Sequence, residues 1–374
     1  MVKILHIGNM KSGIDKYVRN TVMYVADGFD FVIVCGKDDQ HEPIIRHGHQ
    51  VKEYAIPMYR ALNPLKDLMA LILTIRIVLR ERPDVIHCHS AKGGFIGRLA
   101  GFLTGVQTLY TPHAFSFLSA DTKVKRRLYL WLERCARLNS WLLACSESEQ
   151  TMGMSEVHYK KEKALVWQNA VPDVARKQAK DDDVTPYICS VGRPSFQKNP
   201  LFLLEVINEL HRRHPEVKAC MVGAGFYSPD LQKLKSGITA YGLEDVFEIL
   251  PWLSQEETLC RVKGSQLYLT AARYEGLPLA VIEAMALGKP IVASDVVGNK
   301  DCVEDGLNGY LLPMDVTQFV DKICLLLEDA QHLSEMGKAS RRLFEQKFKI
   351  EKRIGYLEEI YRKMLSYERF DHIR

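Results

Sequence analysis

Short apolar runs alternate with longer amphipathic stretches along the whole of this 374-residue chain. No other pattern in it restricts the fold as much. Residues 3–7, 31–35, 85–89, 107–111 and 141–144 in the first half, and 187–191, 219–222, 247–250, 267–270 and 290–293 in the second, read as buried strands separated by helical segments. Strands that are apolar on both faces and alternate with helices form parallel sheets covered on both sides, so the chain is expected to be α/β with two Rossmann-like units. Its length exceeds what one hydrophobic core usually holds and fits two domains. The polar stretch 174–186 has no apolar period and reads as the linker between them.

Composition narrows the class. A hydrophobic fraction of 47% is that of a globular protein, and a formal net charge of +4 is too small to imply nucleic acid as a partner. The longest apolar run, 68–79, is interrupted by Arg76 and falls short of the ~20 residues a membrane-crossing helix needs. Nine cysteines occur without a C-x-x-C pair, and Met1-Val-Lys-Ile-Leu-His-Ile7 enters a strand pattern with no secretory leader. The cysteines are read as reduced thiols of a cytoplasmic protein.

The stretch Arg273-Tyr-Glu-Gly-Leu-Pro-Leu-Ala-Val-Ile-Glu-Ala-Met-Ala-Leu-Gly-Lys-Pro290 carries most of the functional signal. Pro278 suits a first helical turn and Gly288 an exit, which predicts a helix starting near Leu277 with Glu275 just before it and Glu283 inside it. Amides around Gly276 and Leu277 would then face an anionic group, while the two carboxylates accept from neutral hydroxyls. Such a helix is apolar on nearly every face, so Glu283 needs a partner or a ligand. Upstream, Cys189-Ser-Val-Gly-Arg-Pro-Ser-Phe-Gln-Lys-Asn199 ends a buried strand and offers Arg193 and Lys198 on one loop, a combination suited to a diphosphate. Met221-Val-Gly-Ala-Gly-Phe-Tyr-Ser228 is a shortened dinucleotide fingerprint in which Gly223 and Gly225 allow a tight turn.

The E-x7-E arrangement, followed by Lys289-Pro-Ile-Val-Ala-Ser-Asp295 and Glu304-Asp-Gly-Leu-Asn-Gly-Tyr310, resembles the donor-binding half of the family 4 retaining glycosyltransferases. That resemblance implies the GT-B fold, two Rossmann-like domains facing across a cleft, with 1–174 binding acceptor and 185–353 binding nucleotide sugar. A final helix, about 354–374, crosses back onto the first domain. Arg193 and Lys198 would clamp the diphosphate, Glu275 hold sugar hydroxyls and Glu283 the ribose hydroxyls. Gly223 and Gly225 would line the nucleotide pocket, and Trp252 or Leu253 flank the base, a core tryptophan being the alternative. In the first domain His113, within Tyr110-Thr-Pro-His-Ala-Phe115, takes the position of a family histidine that approaches the donor sugar.

Two departures bear on the details. The family's paired glycine in the first loop is Ser12-Gly13 here, leaving Gly13 for close backbone approach, and the usual G-G-x-P-E reads Val297-Gly-Asn-Lys-Asp301. Within His87-Cys-His-Ser-Ala-Lys-Gly-Gly94, Lys92 belongs to an H-S-x-K-x-G element similar to that of bacterial capsule and O-antigen glycosyltransferases, and would meet acceptor phosphate. His87, His89 and His113 lack a completing carboxylate or cysteine for a metal shell. Asp181-Asp-Asp183 lies in the linker rather than after a strand, so no metal or other cofactor is expected. Lys125, Arg126 and Arg127, interleaved with Leu128, Tyr129 and Trp131, suit an anionic membrane surface or a lipid diphosphate. The implied activity is transfer of a hexose or N-acetylhexosamine, with UDP preferred as the donor nucleotide, to a polyprenyl-diphosphate-linked glycan at the inner face of the plasma membrane. A sugar-nucleotide epimerase and a non-catalytic nucleotide-sugar-binding protein are the alternatives.

Overall fold

The computed structural model describes residues 1–371 other than 40, 60, 62, 175–186 and 226, with side chains as far as Leu365. Linker residues 175–186, with the Asp181–Asp183 run, lie outside the described residues. The chain forms two compact units, Met1–Asn169 with Ile350–Arg374, and Ala170–Lys349.

Unit 1 contains strands β1 (Val2–Ile7), β2 (Phe29–Gly36), β3 (Ile45–Arg46), β4 (His49–Gln50), β5 (Lys52–Ile56), β6 (Val85–His89), β7 (Gln107–Thr111), β8 (Trp141–Ala144) and β9 (Ala164–Val166). Its helices are α1 (Gly13–Tyr24), α2 (Pro64–Glu81), α3 (Ser90–Thr104), α4 (Lys123–Ala136) and α5 (Glu147–Ser155). Seven strands form one parallel sheet in the order β5-β2-β1-β6-β7-β8-β9, and β3 and β4 make a separate antiparallel hairpin. Local signals set the helix ends. Asn63 accepts a hydrogen bond from the Lys66 amide at 3.1 Å, Pro64 opens α2, and left-handed Arg82 closes it. The core lies between the sheet and α2, where Leu5, Val32, Val34 and Ile86 meet Ala70, Ile77 and Val78.

Unit 2 continues with β10 (Tyr187–Val191), α6 (Pro200–Arg213), β11 (Lys218–Ala224), α7 (Leu231–Tyr241), β12 (Phe247–Pro251), α8 (Gln255–Gly264) and β13 (Leu267–Thr270). It then runs through α9 (Leu279–Ala286), β14 (Ile291–Ser294), α10 (Asn299–Cys302), β15 (Gly309–Leu312), α11 (Val316–Glu328) and α12 (Ala330–Leu343). The sheet order β12-β11-β10-β13-β14-β15 is that of a dinucleotide-binding fold, all parallel.

The last helix, α13 (Ile350–Asp371), belongs to unit 1 and packs against α1 and β6. Tyr361 donates to or accepts from His87 Nδ1 at 2.8 Å, Glu358 Oε1 accepts from the Ala26 amide at 2.7 Å, and the Trp167 indole donates to the Arg353 carbonyl at 3.2 Å. Among the described residues no helix is long and apolar enough to cross a membrane. All nine cysteines are unpaired.

Candidate active site

The order of the second sheet reverses between β10 and β13. Loops leaving the carboxyl ends of two such neighbours flank the crevice where open α/β sheets bind ligands. Both loops carry charged residues expected at the site. Lys198 Nζ, after β10, lies 2.6 Å from Glu275 Oε1, after β13. Gln197 Nε2 donates to Glu275 Oε2 at 3.1 Å and to the Tyr274 carbonyl at 3.2 Å, and the Arg273 amide returns a bond of 2.8 Å to the Gln197 carbonyl. Glu275 is therefore buried with both oxygens engaged, whereas the Lys198 side chain keeps 21% of its surface open. Arg193 is half-buried on the same loop, its guanidinium 6.0 Å from the centre of the Tyr227 ring.

Glycines let two further loops close on this pair. A Cβ on Gly223, whose φ is +118°, would stand 3.2 Å from the Gly192 carbonyl carbon, and one on Gly192 would stand 2.9 Å from Lys198 Cε. Gly298, with φ +87°, presses on Glu275: a Cβ there would be 2.8 Å from Glu275 Cβ and 2.9 Å from the Gly276 carbonyl. Gly298 so props the back of Glu275. Asp301 Oδ2 accepts from the Gly298 amide at 3.2 Å and closes the start of α10, an internal task that a shorter acid can perform. The Gly225 amide donates to Ser228 Oγ at 3.1 Å, and Trp252 Cβ lies 3.7 Å from where a Gly225 side chain would start. Trp252 is 56% exposed, which removes the core alternative, and Leu253 beside it is half-buried.

The Glu283 helix starts two residues later than its sequence suggests. Pro278 is the N-cap of α9, in extended conformation, rather than a first-turn residue. Val281 and Ile282 already donate to the Pro278 carbonyl, so the first-turn amides belong to Leu279 and Ala280, not to Gly276 and Leu277, both of which are buried. The expected apolar wrapping is present, with Val281 through Ala286 all buried. Glu283 is 5% exposed and accepts from Gln255 Nε2 of α8 at 3.3 Å. Gln197, inside the Cys189–Asn199 stretch, and Gln255, outside any motif, steady the two carboxylates; neither carries charge, and sequence reasoning gave neither a role. Their only signal was an amide beside a cation and an amide at a helix start.

In unit 1, Gly13 opens α1, and a Cβ there would meet nothing within 4 Å. Lys92 is engaged internally. Its Nζ lies 2.7 Å from each carboxylate oxygen of Asp67 and clasps α3 to α2, so it must exchange that partner to meet a phosphate. The adjoining Gly93 and Gly94 serve packing, since a Cβ on Gly93 would stand 2.6 Å from the Ile7 carbonyl and one on Gly94 would collide with the Tyr110 ring. On α4, Lys125 pairs with Asp121 at 3.3 Å and Arg126 with Glu156 at 2.7 Å, while Arg127 is exposed.

His113 is half-buried with φ +52°, and both ring nitrogens have partners within unit 1: Nε2 lies 3.1 Å from His89 Nδ1 and Nδ1 3.5 Å from Cys145 Sγ. His89 Nε2 in turn meets His6 Nδ1 at 2.8 Å. The histidines with ring nitrogens within 4.8 Å of one another are His6, His87 and His89, all fully buried, and His113 joins them through its contact with His89. His87 is bound on both sides, by Tyr361 and by Thr111 Oγ1 at 2.8 Å. Desolvation drives His6 and His113 down to about 3 and lowers His87 and His89 as well, so the cluster is neutral at physiological pH.

Comparisons with known proteins agree with this geometry. Residues 12–151 match the model of a glycosyl transferase 4-like domain, and residues 173–343 match that of glycosyl transferases group 1. The chain is 26% identical, over 96% of each chain, to an Escherichia coli UDP-Gal:alpha-D-GlcNAc-diphosphoundecaprenol alpha-1,3-galactosyltransferase. Sucrose-phosphate synthase from Thermosynechococcus elongatus superposes with a TM-score of 0.83 at 17% identity, covering 98% of this chain and 100% of that one. Anabaena HepE, solved with UDP and glucose, superposes with 0.81 at 19% identity, covering 96% and 99%. The fold is that of the GT-B glycosyltransferases. With a 4-like domain followed by a group 1 domain, the chain belongs to the family 4-type glycosyltransferases and is a glycosyl-transferring enzyme.

Proposed function

We infer that the enzyme transfers a hexosyl or N-acetylhexosaminyl group from a UDP-sugar to a polyprenyl-diphosphate-linked glycan, retaining the anomeric configuration and using no metal in the transfer. The observation that carries this reading is the Lys198–Glu275 contact of 2.6 Å at the reversal point of the second sheet. A cation there is placed to take up charge that grows on a departing diphosphate, with Arg193 of the same loop as its companion. When the diphosphate engages Lys198, Glu275 is released to accept from sugar hydroxyls, and Gln197 keeps it in place. The bond from C1 to the β-phosphate oxygen breaks with its electron pair leaving on the nucleoside diphosphate. The acceptor hydroxyl oxygen forms the new bond to C1, and its proton passes to the departing phosphate oxygen.

Trp252 and Leu253 suit a base, and Glu283 suits the ribose hydroxyls by exchanging Gln255. In unit 1, both ring nitrogens of His113 have partners and the Ala114 amide donates to Glu149 Oε1 at 2.7 Å, so His113 must exchange a ring partner to meet the sugar. Open space at Gly13 suits a close ligand. The acceptor class is supported by the Escherichia coli relative, a galactosyltransferase acting on GlcNAc-diphosphoundecaprenol. Contact with the inner face of the membrane is supported by α4, which exposes Val124, Leu128 and Trp131 beside Lys123 and Arg127.

Purified enzyme incubated with UDP-galactose, UDP-N-acetylglucosamine or GDP-mannose and a short-chain GlcNAc-diphospholipid tests the reading. The expected result is UDP release only with acceptor present, a product whose anomeric coupling matches the donor, and no rate gain when Mg2+ or Mn2+ is added. Preference for GDP-mannose, inversion, or isomerised donor without acceptor would each overturn the corresponding part.

A further inference from the structure

We propose that unit 1 carries a site for a divalent transition-metal ion of the zinc class, formed by the Cys35 thiolate, the His41 imidazole and the Glu53 carboxylate. Candidate ligand atoms of these three residues all lie within 4.8 Å of one another. Cys35 is near the end of β2, and Glu53 lies on the neighbouring strand β5 opposite Ile33, two residues before Cys35. The period of two therefore puts both side chains on one face of the sheet. His41 reaches them from the turn after β2. Its Nε2 stands 3.2 Å from Glu53 Oε2, close to the ~3.3 Å that separates two ligands each about 2.0 Å from a tetrahedral ion.

A plain ion pair explains that one contact and leaves two atoms unexplained. The His41 side chain is 7% exposed, and its Nδ1 is a buried atom with no hydrogen-bond partner. Glu53 Oε1 is a second such atom on a side chain 16% exposed. Nearly all buried polar atoms in native proteins are partnered, and an ion bound by His41 Nε2 and chelated by both Glu53 oxygens takes up the open Oε1. One sulfur, one nitrogen and carboxylate oxygen form the mixed set that suits zinc-like ions rather than magnesium or calcium. Water completes the shell. On binding, the metal–sulfur bond replaces the Cys35 thiol proton, which passes to solvent. The fully buried set His6, His87 and His89 is less suited, because both nitrogens of His87 already have partners.

The site would brace a functional loop. Asp39, between Cys35 and His41, accepts from the Met10 and Gly36 amides at 2.7 Å each and faces Lys11 Nζ at 3.3 Å. An ion held by Cys35, His41 and Glu53 therefore pins the turn that anchors the loop between β1 and Gly13.

Reduced, chelator-stripped full-length enzyme titrated with Co2+ and then Zn2+ tests the site. The expected result is one equivalent of Co2+ with a near-ultraviolet thiolate charge-transfer band and tetrahedral d–d bands, displaced by Zn2+. Cys35→Ser should abolish the charge-transfer band, and His41→Gln and Glu53→Gln should each weaken Co2+ binding at least tenfold. Cys135→Ser and Cys260→Ser, which remove the exposed thiols, should leave the spectrum unchanged. Far-ultraviolet dichroism checks each fold, and should Cys35→Ser not fold, Glu53→Gln at the sheet edge carries the test. Absence of a thiolate band, its survival in Cys35→Ser, or unaltered Co2+ affinity in Glu53→Gln would overturn the proposal.

Discussion

Glu275 is held by Lys198 Nζ at 2.6 Å, by Gln197 Nε2 at 3.1 Å and, from behind, by the close-packed backbone of Gly298. Each support predicts a different outcome. Lys198→Ala removes a cation whose best interaction forms only as the diphosphate departs, so kcat should fall about 10²–10³-fold with a smaller change in donor KM. A kcat within threefold of the parent would exclude Lys198 from the transition state. Gly298→Ala puts a Cβ 2.8–2.9 Å from Glu275 and Gly276 at a φ of +87° and should cost about 1–3 kcal/mol, displacing Glu275 as it does so. Gly13→Ala is the opposite case. Nothing stands within 4 Å of its Cβ, and alanine favours the helix by less than about 1 kcal/mol, so the protein should be as stable as the parent or more so. Lower transfer in a stable Gly13→Ala enzyme is the expected sign of a ligand at that loop, and full activity there would remove Gly13 from the site.

Helix α4 shows how one element divides its faces. Leu130, Glu133 and Ala136 are buried, and Glu133 is fixed by Arg98 Nη2 at 3.0 Å and the Tyr110 hydroxyl at 3.1 Å, so α3 and α4 are joined through a buried ion pair. The opposite face leaves Val124, Leu128 and Trp131 exposed at helical spacing. Neutralising Lys125, Arg126 and Arg127 together should weaken co-sedimentation with anionic vesicles tenfold or more at low salt, since each basic residue near such a surface is worth about 1 kcal/mol. Trp131→Ala should weaken binding in a salt-independent way. Unchanged sedimentation of both variants would show that α4 is not the membrane face. Elements differed in how plainly the sequence announced them. Strands such as Val85–His89 and Leu267–Thr270 were readable to the residue, because an apolar run of fixed length sits between turn signals. The edge strand Lys52–Ile56, with only Ile56 buried, and the three- and four-residue strands Ala164–Val166 and Gly309–Leu312 were missed. Similarly, the meeting of Lys198 and Glu275 was legible because both follow strands that the pattern marks as buried, and such loops leave the carboxyl ends of the sheet. Internal partners were not: that Asp67 holds Lys92, or that Gly298 backs Glu275, depends on contacts made only once the chain has folded.

At the scale of unit 1, four histidines lie side by side in or beside the sheet, and the chain from His6 through His89 and His113 to Cys145 needs His89 and His113 each to donate at one ring nitrogen and accept at the other, while His6 joins through Nδ1. Charging any ring breaks that sequence and places a cation where His6 and His89 are wholly buried. The folded-state values of His6 and His113 are depressed to about 3, against about 6.5 in an unfolded chain. Between those limits the unfolded state binds more protons than the folded one, so stability rises with pH. The contribution is complete above about pH 6.5 and is lost progressively as pH falls toward 3. At pH 5 each of these two histidines has withdrawn about 2 kcal/mol, and His87 and His89 shift in the same direction. For a unit of this size each kcal/mol moves the melting point by roughly 2–4 °C. Unit 1 should therefore melt on the order of 10 °C lower at pH 5 than at pH 7.5. Tryptophan fluorescence reads this unit selectively, because Trp141 and Trp167 are its buried indoles whereas Trp252 of unit 2 is largely exposed. A melting point that stays level from pH 7.5 to pH 5 would mean that the rings charge without cost, and the neutral chain from His6 to Cys145 would not be what holds this part of the enzyme together.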